Sequence, residues 1–208
     1  MPRRPRSRDA SKRGTREALL HAGMAEFAAH GLDAPSLDAI CARAGYTRGA
    51  FYVHFKDRDD FIVGVMERVL GPFLDAVIAT GDQARDLERT VRRYVESIGQ
   101  IGPPPRRTGR RSPRVAGTGV PFHRLLEACA RSERIRGRFV ALLQEAIERV
   151  AKAAGAGQAA GSVRSDVDAE ALATLLVAAA LGAATALEIG LPFEPERVRS
   201  AVLDLIGG

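Results

Sequence analysis

Residues 36–55 read SLDAICARAGYTRGAFYVHF, and the fold of the first third of the chain turns on them. Ser36 is a strong N-cap, Asp38 suits the positive end of a helix dipole, and Leu37, Ile40, Cys41 and Ala44 recur at i, i+3, i+4 and i+7 before Gly45. A short helix ending at the glycine is predicted. Thr47 then caps a second short helix that runs through His54. At about 100° per residue, Phe51 and Phe55 fall within about 40° of each other on that helix, so both rings turn toward the core. Gly49, Ala50 and Val53 point away from it, while Tyr52 and His54 flank the helix on opposite sides.

Two short helices joined at Gly45-Tyr46 have the proportions of a helix-turn-helix, in which the second helix enters a DNA groove. An outward face of small side chains permits close approach, and a major groove about 12 Å wide admits a helix. Arg48, Gly49, Ala50 and Val53 are the groove-facing candidates. Among them Arg48 carries a donor fork that matches guanine O6 and N7, and Val53 suits a thymine methyl. Tyr52, His54, Lys56 and the amides at the helix starts, at Ser36 and Thr47, would serve phosphates. A packed amphipathic helix with an ordinary surface histidine is the alternative reading of the same pattern.

Outward from this stretch the periodicity stays helical. Leu20, Met24 and Phe27 predict a helix from about Thr15 to His30, closed by Gly31. Asp57 can cap a further helix with the stripe Phe61, Val65, Val69, and Gly71-Pro72 is expected to kink or end it. Helical patterns continue through Phe73–Ile78, Leu87–Ile98, Phe122–Ala130, Ser132–Ala154, Asp168–Ile189 and Pro195–Leu205. Residues 102–121 are dominated by proline, glycine and arginine and read as a long mobile loop. No period-two run is long enough for a strand, and no internal repeat stands out. The fold class is all-α.

The charge is unevenly placed. The net +6 is gathered in residues 1–16, with seven basic groups against Asp9, and in 103–114, with five arginines and no acid, so the remainder sums to −5. Basic segments of this kind hold polyanions through counterion release, and they also serve as plain solubilising tails. A composition 46% hydrophobic and 27% charged excludes a disordered chain. Cys41 and Cys129 form no C-x-x-C pair and have no histidine at metal spacing, which suggests a reduced, cytoplasmic setting and no metal site. The longest uncharged run, Ala171–Leu187, is alanine-rich and is expected to be a buried helix rather than a membrane span. H-E-x-x-H, Walker and G-x-S-x-G motifs are missing, so no catalytic residue and no cofactor are expected.

Thr15 to Leu70 resembles the DNA-binding domain of the TetR (tetracycline-repressor-like) family of transcriptional regulators. LLHAGMAEFAAHGL (19–32), with Phe27 and Gly31 in place, and SLDAICARAGYTRGAFYVHF (36–55) carry the resemblance. It implies that Thr47, Arg48, Gly49, Ala50, Tyr52, His54 and Lys56 occupy DNA-contacting positions. Arg58 stands where the family usually has lysine, keeping the charge for phosphate. Tyr46 stands where valine is common, and Asp38, if it faces DNA, repels phosphate. The domain organisation expected is a basic tail at 1–12, a helix-turn-helix domain at 13–70 and a helical effector-binding and dimerisation domain at 71–208. By resemblance, the partners are a double-stranded operator, a second copy held mainly through 168–189 and 195–206, and a small-molecule effector whose pocket residues the sequence does not name. The function expected is a ligand-responsive repressor, homodimeric on a palindromic operator; the alternative is a helical protein-interaction or membrane-surface module.

Overall fold

Apolar residues recurring every three or four positions fold as helices, and a computed structural model of the chain contains no strand among the residues it describes, 8–77, 87–99, 122–192 and 194–207. The helices are α1 (Arg8–His30), α2 (Leu37–Ala44), α3 (Arg48–Tyr52), α4 (Arg58–Val77), α5 (Leu87–Gly99), α6 (Phe122–Arg131), α7 (Glu133–Ala159), α8 (Ala169–Ile189) and α9 (Pro195–Ile206). Three differences from the sequence reading bear on the DNA-binding half. α1 begins at Arg8, well ahead of Thr15, because each residue added to a formed helix gains a backbone bond without needing an apolar contact. Residues 10–14 are exposed and so leave no stripe to read. Part of the expected basic tail is therefore helix, while residues 1–7 and the expected loop at 102–121 lie outside the described residues.

The second difference is at α3, which ends at Tyr52 rather than His54: the amides of His54 and Phe55 both donate to the Phe51 carbonyl, tightening the last turn. The third is at Gly71-Pro72, where α4 neither ends nor breaks but continues to Val77. Packing of α4 against α1, α5 and α7 offsets the single backbone bond that proline removes. The expected domain boundary at 70/71 consequently falls inside one continuous helix.

Caps set the other ends. Ser36 Oγ accepts from the Ala39 amide at 3.1 Å, Asp57 Oδ1 from the Asp60 amide at 2.8 Å, and Asp168 Oδ1 from the Ala171 amide at 2.8 Å. Gly45 closes α2 at φ 75°, a left-handed conformation that side chains other than glycine resist.

One core joins the first four helices to α6 and the front half of α7. Phe27, Ile40, Phe51, Phe55 and Phe61 share it with Phe122, Cys129, Ile135, Phe139 and Leu142. The Phe61 ring is its centre, 5.2 Å from Phe51, 4.9 Å from Phe55 and 5.9 Å from Phe27. Burial pushes the Cys41 and Cys129 thiols up, away from the reactive thiolate. A second core lies around the rear half of α7, where Ala146, Val150 and Ala154 meet Leu87, Val91, Leu172 and Ile206. α7 thus spans both. Ion pairs follow the same seam, Arg131 to Asp33, Arg134 to Asp57 and Arg138 to Glu67, each at 2.7 Å. By contrast α8, expected to be buried, has among its described residues only Leu172 and Ala173 buried within this subunit.

Candidate nucleic-acid interface

The short α3 is held from beneath. Phe51 is 0% and Phe55 2% exposed, which leaves the opposite face of the helix to solvent. Tyr52 is 50% and Val53 64% exposed, and Arg48, Gly49, Thr47 and Lys56 are exposed with them. Ala50, expected to point outward, is half-buried. Val53 sits just beyond the helix as its C-cap, because the helix stops two residues early. His54 is also half-buried, its ring 6.4 Å from that of Phe55.

Ser36 and Thr47 both act as caps, Thr47 Oγ1 accepting from the Ala50 amide at 3.3 Å. A hydroxyl that accepts in this way still has its own proton to donate, so each remains able to bond a phosphate oxygen. Both lie at helix N-termini, where the dipole favours anions.

Electrostatic neighbours add two residues that the sequence reading missed. The Arg16 guanidinium lies over the Phe55 ring at 5.3 Å. Partial burial, then Arg16, then Lys12 hold the His54 imidazole below its ordinary value, which places both cations of α1 beside the α3 surface. Their i, i+4 spacing is the available signal, hidden from a helix expected only from Thr15. Arg58 goes the other way. Its guanidinium donates to the carbonyls of Pro35 at 2.8 Å and Leu32 at 2.5 Å and lies 5.8 Å over the Phe27 ring, so it braces the α1–α2 connection instead of awaiting phosphate.

Asp38 is placed beside Arg48, carboxylate to guanidinium 3.5 Å. A hydrogen bond to Tyr52 and then the charge of Asp38 hold Arg48 above its ordinary value. The expected base reader, an expected phosphate contact and the acid that looked out of place therefore form one exposed cluster at the head of α3. Phe122, Cys129 and Phe139 are core residues. His123 pairs with Glu188 of α8.

The family described as bacterial regulatory proteins, tetR family, matches residues 19–65, and the family described as tetracyclin repressor-like, C-terminal domain, matches 110–202. The regulator YwcC of Bacillus subtilis is 37% identical over 57 residues, 27% of this chain and 26% of that protein. The repressor BepR of Brucella suis is 40% identical over 58 residues, 28% of each chain. These matches thus span under a third of either relative's length. The solved structure of SmeT, described as the repressor of the Stenotrophomonas maltophilia multidrug efflux pump SmeDEF, is 26% identical with a TM-score of 0.66, covering 92% of this chain and 89% of that one. Matches to both an amino-terminal and a carboxy-terminal domain of one family, in order along one all-helical chain, carry a plain conclusion: this chain belongs to the TetR family of bacterial regulatory proteins.

Proposed function

We propose that the chain is a sequence-specific DNA-binding transcriptional regulator, a ligand-responsive repressor that acts as a homodimer on a palindromic operator in the cytoplasm. One observation carries the reading: a recognition helix fastened by two buried phenylalanines, with Arg48, Gly49, Tyr52 and Val53 facing solvent and capped helix starts at Ser36 and Thr47 beside them. Arg48 meets base edges, and Ser36, Thr47, Tyr52, His54 and Lys56, joined by Arg16 and Lys12, meet phosphates. SmeT, described as a repressor and also solved in complex with triclosan, supports both the repressor role and the small-molecule effector.

Dimerisation follows from α8 and α9. Leu175, Ile189, Val198 and Leu205 are large apolar side chains open to solvent on these two helices, and a second copy would cover them. Two heads so joined meet half-sites about 34–36 Å apart, one turn of duplex. An effector acts by binding one head spacing more tightly than the other, since only differential affinity moves the equilibrium. The test is selection of bound fragments from random genomic DNA. Recovery of a shared inverted repeat is expected; recovery of fragments with no common sequence would sink the reading.

A further inference from the structure

Asp38 poses a problem on a surface meant for DNA. It lies in the first turn of α2, its side chain 68% exposed, and it would repel the phosphates that Ser36 and Thr47 are placed to receive. Two acids that follow the recognition helix are engaged elsewhere: Asp57 with Arg134 and the Asp60 amide, and Asp60 with the Lys56 amide at 2.9 Å. Asp38 instead faces Arg48, at 3.5 Å, with both side chains more than half exposed. A solvent-exposed pair of that length adds little to stability. What it does is limit where a long cation can go, and a flexible arginine at the head of a recognition helix can reach backbone phosphates or base edges.

We propose that Asp38 is a specificity-determining positioning residue, its carboxylate holding the Arg48 guanidinium over the base edges and away from phosphate, so that binding to unrelated sequence is weakened and discrimination between sequences is gained. This inference rests on the DNA-reading function proposed above. Tyr52, one turn further along α3, is a second neighbour that favours the charged guanidinium. A guanidinium drawn to a carboxylate on one side presents its remaining N–H donors on the other, which bidentate recognition of guanine requires. Asp38 makes no base contact in this scheme; it acts through Arg48.

The experiment uses the full chain and two probes, a duplex selected from a random library by the wild-type protein and a scrambled duplex of equal length. Affinities are measured between about 50 and 200 mM salt for Asp38→Asn, Asp38→Glu, Arg48→Ala and the double variant. Asp38→Asn is expected to lower the ratio of selected to scrambled affinity by about fivefold or more and to steepen the salt slope on scrambled DNA by about 0.9 as Arg48 takes a phosphate. Asp38→Glu is expected to restore much of the ratio, and Asp38→Asn to leave the ratio unchanged once Arg48 is alanine. Equal tightening on both probes would overturn the inference, leaving Asp38 a simple repulsive charge. So would a change in thermal stability alone, the result expected of an acid that serves only the α2 dipole. Failure of the wild-type protein to select any sequence overturns the function itself, and the inference with it, which keeps the two failures distinguishable.

Discussion

Arg58 and His54 show how neighbours redefine a side chain. Arg58 donates to two backbone carbonyls across the α1–α2 connection, and charged donors of this kind are each worth about 1.5–3 kcal/mol. Arg58→Ala is expected to cost about 3 kcal/mol or more in urea unfolding while leaving the salt slope of DNA binding unchanged. A shallower slope with unaltered stability would return it to the phosphate contacts. His54 carries a pH dependence whose sign can be worked out. Partial burial and then the nearby cations Arg16 and Lys12 hold its imidazole below the ordinary 6.5, so the folded chain binds fewer protons than the unfolded chain as pH falls. The stability is whole above about pH 6.5 and is lost as pH drops below that toward the lowered folded value. His54→Asn should flatten the thermal-stability profile in that window, and an identical slope in the variant would show that the imidazole is not the group responsible.

Elements depend on close approach as much as on propensity. Gly23 lies where α1 crosses α4, and a Cβ there would overlap the ring of Phe61, a side chain with no exposure and little freedom to move. Gly23→Ala is therefore expected to destabilise by about 1–3 kcal/mol despite alanine's better helix propensity. Gly137, inside α7, has open space around its would-be Cβ. Gly137→Ala should stabilise by about 0.5–1 kcal/mol in the same denaturation assay, and equal effects of the two substitutions would refute the packing argument. Nothing in the residues around 23 distinguishes the two glycines, because the ring that decides the matter comes from another helix.

The described residues form two cores strung along α7, which carries side chains into both. Arg134 at Asp57 and Arg138 at Glu67 tie the front of α7 to α4 and to the turn after α3. The apolar faces of α8 and α9 give the other prediction at this scale. Leu175 and Leu205 are each 65% exposed, and in a two-fold interface each occurs twice. Leu175→Lys with Leu205→Lys is expected to remove about 6 kcal/mol of association at roughly 1.5 kcal/mol per leucine, leaving a folded monomer in sedimentation. A double variant that stays dimeric would move the interface elsewhere.

Much of this was legible in one dimension because its causes are local. Ser36, Thr47, Asp57 and Ser132 mark helix starts through bonds to amides three residues on, Gly45 marks a stop through its own φ, and the spacing of Phe51 and Phe55 sets which way α3 faces. Such signals lie within one or two turns of the chain. The continuation of α4 through Pro72, the bracing role of Arg58, the nearness of Arg16 to His54 and the meeting of Asp38 with Arg48 required tertiary structure. Each depends on which side chain from a distant segment arrives alongside, and that is decided by how helices pack around Phe61 rather than by any property of the residue itself.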